Sequence, residues 1–128
     1  MLYQPDIAKL LLRLSLGVLI LFHGVYKLIY GISGVESIVT AHALPAFLAY
    51  GVYIAELIAP IFIILGLYGR FASGILALNM LIAIYLAYGF SFVTSKYGGL
   101  AWETPLLYLV LCIVVILLGS GKYAVNSK

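Results

Sequence analysis

Long apolar runs dominate this chain and leave little choice of fold. Four of them, about residues 7–30, 45–67, 71–90 and 104–118, are separated by glycine-rich breaks, and the last becomes 100–118 if residues 100–103 form its first turn. Roughly 20 apolar residues carry a helix across a hydrocarbon core of about 30 Å. With 66% hydrophobic and 9% charged residues in a chain of 128, a soluble domain would have too little core to bury the surplus. The expected fold is therefore all-α, an integral membrane bundle of four transmembrane helices forming one domain over residues 1–128, with the lipid bilayer as its solvent. Gly31 and Gly34, Gly66 and Gly69, and Gly98 and Gly99 punctuate the three connections. Pro45 and Pro105 suit first-turn positions, where a missing amide proton costs little.

Several function classes drop out at once. The seven basic residues are scattered at helix ends and form no stripe, so the net charge of +3 does not indicate nucleic-acid binding. Cys112 is the single cysteine, which excludes an internal disulfide, a paired-cysteine redox motif and a cysteine zinc site. In the first run Lys9 and Arg13 precede an apolar stretch, as in a signal peptide, but the run is too long for one and carries His23 and Lys27, so it reads as the first helix. Residues 33–43 suggest a short interfacial segment without specifying its conformation. An even number of crossings puts both termini on one side, together with Lys9, Arg13, Arg70, Lys122 and Lys128, against Lys27 and Lys96 opposite. The positive-inside rule then makes that side the cytoplasm of a multi-pass cell (plasma) membrane protein. Glu36, His42 and Glu103 fall on or near the outer face.

Charged groups inside a bilayer cost roughly 2.5–3.5 kcal/mol each at a helix centre, so they must find partners or water. On a helical projection Arg13, Gly17, Ile20, Gly24 and Lys27 share a sector of roughly 80°, flanked by His23. That polar, small-residue face should point into the bundle. Glu56 and Asn79 lie near the middle of the second and third helices, within reach of Arg13 from one side and His23 from the other. Glu103 matches the level of Lys27. Pro60 lacks the amide proton that would bond to the carbonyl of Glu56, so a bend there would expose a second acceptor. These residues read either as interhelical glue, with Glu56 paired to Arg13, or as a site in which Glu56, His23 and Arg13 handle protons. One histidine and two separated glutamates make a poor metal signature, and no metal is expected. Of eleven tyrosines, eight map to the outer half beside Trp102 as an interfacial belt. Tyr50, Tyr53 and Tyr85 are deep enough to line a pocket for a flat ring such as a quinone.

The chain resembles the DoxX family of small membrane proteins over nearly its whole length. The resemblance rests on Arg13-Leu-Ser-Leu-Gly17, His23-Gly-Val-Tyr-Lys27, Ala43-Leu-Pro45, Glu56, Leu65-Gly-Leu-Tyr-Gly-Arg70 and Gly119-Ser-Gly-Lys122, with Ser120 where the family often has proline. It implies a four-helix membrane bundle and an association with redox metabolism, since relatives are named after a subunit of a thiosulfate:quinone oxidoreductase. The paired cysteines of related four-helix oxidoreductases are absent.

The leading functional expectation is a quinone-linked membrane subunit whose electrons pass through a soluble or membrane redox partner, since the chain has no self-contained catalytic motif. Glu56, His23 and Arg13 would carry the proton chemistry, and Lys27, Asn79, Tyr53, Tyr85 and Glu103 would contact the ligand. A proton-coupled transporter of small lipophilic molecules, built as a homo-oligomer, and a non-catalytic assembly scaffold are the alternatives.

Overall fold

The computed structural model describes residues 3–126. Its elements are helices α1 (Pro5–Tyr30), α2 (Ser33–Ala41), α3 (Ala46–Leu65), α4 (Gly69–Tyr88) and α5 (Glu103–Leu118). The described residues include no strand, only one isolated bridge between Thr94 and Leu100. Three helices, α1, α3 and α4, are long and apolar enough to cross a membrane, and α5 is a shorter apolar helix of 16 residues. The chain is a multi-span membrane protein. Its outward faces carry residues such as Phe22, Phe71 and Leu117, each at least 70% exposed. In water that surface would be untenable; against acyl chains it is matched.

Local chemistry sets the helix boundaries. Pro5 and Asp6 occupy the first turn of α1, while Lys27 in the last turn donates charge toward its carbonyl end. Gly66 ends α3 and Gly89 ends α4, both in the left-handed region that a side chain resists. The fourth helix starts later than residue 100. The chain before it is tied to the loop instead: Ala101 N–H donates to Val93 at 2.8 Å and Trp102 Nε1 to the Ser91 carbonyl at 2.7 Å. Phe90 and Phe92 pack against the Trp102 ring. With those groups already bonded, helix begins at Glu103 and spans about 24 Å at 1.5 Å per residue.

Residues 33–43, whose conformation the sequence left open, contain α2. It rests on the start of α3 through Ile32, Val39 and Ala49. The long helices close a ring in which α1 packs on α3 and α5, and α4 packs on the same two. Leu16, Ile20, Ile63, Leu76, Cys112 and Val115 form its dry centre.

The α1–α3 contact depends on small residues. A methyl group on Gly24 would run into the backbone carbonyl of Glu56, and one on Gly17 would meet Ile64 and the Pro60 carbonyl. In a membrane such close approach is a main source of helix association. The carbonyl that meets Gly24 belongs to a π-helical turn, Ile54–Ile58, in which Ala59 N–H reaches back to Ile54. Pro60 follows immediately. The wide turn thus directly precedes the residue that cannot donate, and a π-bulge and a proline are each places where a helix bends.

Gly24→Leu should therefore lower stability by about 1–3 kcal/mol, the usual range for overpacking. Gly74→Ala on α4, where nothing stands within 4 Å, should be neutral or stabilise by up to about 1 kcal/mol. Thermal unfolding of the two variants in one detergent checks the contrast.

Candidate functional site

Glu56 is brought to the bundle interior by the π turn and is 3% exposed. Its carboxylate accepts from a single ammonium: Lys27 Nζ lies 2.8 Å from Oε1 and 2.7 Å from Oε2. Asn79 Nδ2 on α4 makes a longer contact of 3.4 Å to Oε2. Tyr53, one turn before Glu56, donates its hydroxyl to the Lys27 carbonyl at 3.2 Å and so ties α3 to the end of α1. An ion pair away from water survives only with close geometry and further hydrogen bonds. All these contacts come from three different helices.

The pair stands between two cavities. The first, about 320 Å³, lies among α2, α3 and α4 and is walled by aliphatic side chains such as Val39, Leu48, Val52, Ile75, Leu78 and Leu86. Its polar side chains are Lys27, Glu56 and Asn79, gathered at one place. The second, about 330 Å³, lies among α1, α4 and α5, and adds His23, Tyr88, Thr104 and Tyr108 to the same three polar residues.

Residues 8–89 match the DoxX family model, well over half of the chain. The chain belongs to the DoxX family. The DoxX match spans α1 to α4 and so contains Lys27, Glu56, Asn79 and His23, whereas Thr104 and Tyr108 of the second cavity lie beyond it. Neither the curated proteins nor the solved structures include a match to the chain.

Several placements differ from expectation. Arg13 does not meet Glu56. It is fully buried at the opposite end of α3, where its guanidinium donates to the carbonyls of Ile63 at 3.1 Å, Ile64 at 2.9 Å and Tyr123 at 2.6 Å. The last turn of any helix leaves carbonyls without amide partners, and a cation there also answers the helix dipole. Arg13 is thus a helix cap that also holds the C-terminal tail. Among the described residues it forms no ion pair.

Lys27, near the outer end of α1 but on its inward sector as expected, takes the place beside Glu56 foreseen for Arg13, its four-carbon stem spanning the distance. Glu103, expected at its level, is exposed beside Gly99 at the start of α5. His23 makes no hydrogen bond to Glu56; its ring packs edge-on against Tyr108, centroids 6.1 Å apart. None of Tyr50, Tyr53 and Tyr85 lines either cavity. Tyr50 packs on Tyr53, and Tyr85, 58% exposed, sits beside His42 and Phe90. The cavity wall is aliphatic because α2, whose fold the sequence did not reveal, supplies one side of it. The Lys27–Glu56 partnership is consistent with the sequence pattern, since both residues lie on inward faces, but Arg13 shares the face of Lys27 and helical spacing does not distinguish the two cations.

Proposed function

We propose that this protein binds a small amphiphile of the quinone class in the cavity between α2, α3 and α4, as the membrane subunit of a redox assembly. The observation that carries this reading is the placement of Lys27, Glu56 and Asn79 together in an otherwise aliphatic chamber. Leu48, Leu78 and Ile82 at its rim are exposed on the lipid side, which suits a ligand arriving from the acyl chains. An ammonium has three N–H groups, and Glu56 takes two of those on Lys27. The third, with the Asn79 amide, fits a ring carbonyl. A quinone bound there would supply the electron-accepting chemistry. The chain's own part is to orient the head group and to hold a proton between the Lys27 ammonium and the Glu56 carboxylate, within a chamber that excludes water.

Purified protein should carry quinone, found by solvent extraction and chromatography of the lipid fraction. Asn79→Leu should weaken binding of a short-chain quinone about fivefold, the value of one neutral hydrogen bond of about 1 kcal/mol. Absence of quinone, together with no response to quinone analogues, would remove this reading.

We also infer, from the positive-inside rule, that both termini face the cytoplasm across the cell membrane. Lys9 packs beside Gly121 and Arg70 beside Gly119, so the basic residues gather at one end of the bundle; Lys128 lies outside the described residues. Cysteines placed singly at positions 70 and 96, on a Cys112→Ala background, should react with an impermeant reagent from opposite sides. Reaction from the same side would contradict this topology.

A further inference from the structure

The second cavity has no use in the reading above, yet it reaches the same ion pair. Along α4 its lining runs from Asn79 to Tyr88, about 14 Å at 1.5 Å per residue. It extends from the end of the bundle where α4 stops and α5 begins down to Ile20 and Glu56. The groups that face Glu56 across it are Lys27 and His23 from α1, Asn79 and Tyr88 from α4, and Tyr108 from α5. His23 is exposed and bonded to none of them. A water molecule needs two to four polar partners to stay in a cavity. Such partners line this chamber along its length through His23, Tyr88, Thr104 and Tyr108, whereas in the first cavity they occur only at the ion pair.

We infer that the cavity between α1, α4 and α5 is an aqueous inlet through which Glu56 and Lys27 exchange protons with the water phase. A lipid-soluble ligand reaches the same pair by the other cavity. The protein thereby keeps two compartments in contact through one carboxylate and one ammonium: a wet one that sets protonation and a dry one that holds the ligand. The inference takes the dry chamber from the function proposed above, but its test needs no ligand and stands if the ligand is not a quinone.

Carbodiimides of opposite solubility separate the two routes. Each activates the Glu56 carboxyl by adding to it; the Lys27 amine then displaces the urea, forming an amide bond between the two side chains with net loss of one water. The product is read by peptide mass. The protein, washed free of endogenous lipid and placed in phosphatidylcholine nanodiscs, is treated with a charged water-soluble carbodiimide or with dicyclohexylcarbodiimide. Each route has a plug. Thr104 is exposed in the first turn of α5, and Thr104→Trp narrows the second cavity. Gly51 lines the first cavity with nothing within 4 Å of a new Cβ, so Gly51→Phe fills that one.

Thr104→Trp should slow cross-linking by the charged reagent about tenfold or more, because the remaining route would carry a charge through hydrocarbon, and should leave dicyclohexylcarbodiimide unaffected. Gly51→Phe should do the reverse. Both variants are checked first for a wild-type melting temperature, with Met replacing Trp or Leu replacing Phe where it is altered. The inference is overturned if the charged reagent fails to cross-link the unplugged protein, or if one plug slows both reagents equally. Loss of quinone binding with the crossed pattern intact would sink the proposed ligand and leave the inlet standing.

Discussion

Lys27→Met should destabilise the bundle by roughly 3 kcal/mol, the lower end for breaking a buried ion pair, since the Lys27 side chain keeps 26% exposure. The cost arises because Glu56, with a side chain only 4% exposed, loses both short hydrogen bonds and retains only the long Asn79 contact. Replacing both residues by methionine should recover stability to within about 1 kcal/mol of wild type, because apolar replacement of a whole buried pair is often neutral. Reversible unfolding in mixed micelles measures the cycle, and a coupling energy near zero would mean that the pair contributes nothing. Function should follow a different order. Glu56→Gln keeps the shape and an acceptor for Lys27, so it should fold and insert, yet fail to complement a deletion strain. Glu56→Ala should in addition lower yield and melting temperature, since it strands the Lys27 ammonium. The double methionine variant should be stable and inactive. Full complementation by Glu56→Gln would make the carboxylate packing glue and favour a scaffold over both the quinone-linked and the transport readings.

Arg13→Met is expected to be comparably damaging, by about 3–5 kcal/mol, with no effect on the Lys27–Glu56 pair. It removes charge-assisted bonds to three carbonyls, each worth about 1.5–3 kcal/mol and not fully additive. The neighbouring contacts should loosen with it. Val125 N–H donates to the Leu65 carbonyl and Asn126 N–H to Gly66, both at 3.1 Å, and the Asn126 side chain accepts from Tyr68 N–H. Limited proteolysis should thus cut after residue 118 in Arg13→Met well before wild type. Arg13→Lys should rescue only part of the loss, because one ammonium cannot span the α3 carbonyls and Tyr123 as a planar guanidinium does. Equal proteolysis of all three proteins would show that the cap does not hold the tail. The folded fraction should bind quinone normally, which separates this arginine from the site that the sequence assigned it to.

Local pattern was enough for the membrane location, the helical class and the inward face of α1. Apolar run length and the positions of Gly17, Gly24 and Glu56 depend on nothing but spacing along one helix, and spacing is written in the chain. Residues 5–30 show this well: the buried Arg13, Gly17, Ile20 and Gly24 are four of the five placed on the inward sector. The partner of each charge was not decided in that way. Arg13 and Lys27 occupy the same face about 21 Å apart along α1, at 1.5 Å per residue. Which of them meets Glu56 depends on the relative height of α1 and α3, on the π turn that rotates Glu56, and on where the tail after α5 returns. Those are set by packing between segments distant in sequence: Gly24 on the Glu56 carbonyl, Arg13 on the end of α3, and Trp102 on the loop that delays α5. The cavities belong to the same class. Each is the space left between three helices, so the sequence determined that polar groups must be sheltered, and only the tertiary structure decided that they would be sheltered between an aliphatic chamber and a more polar one.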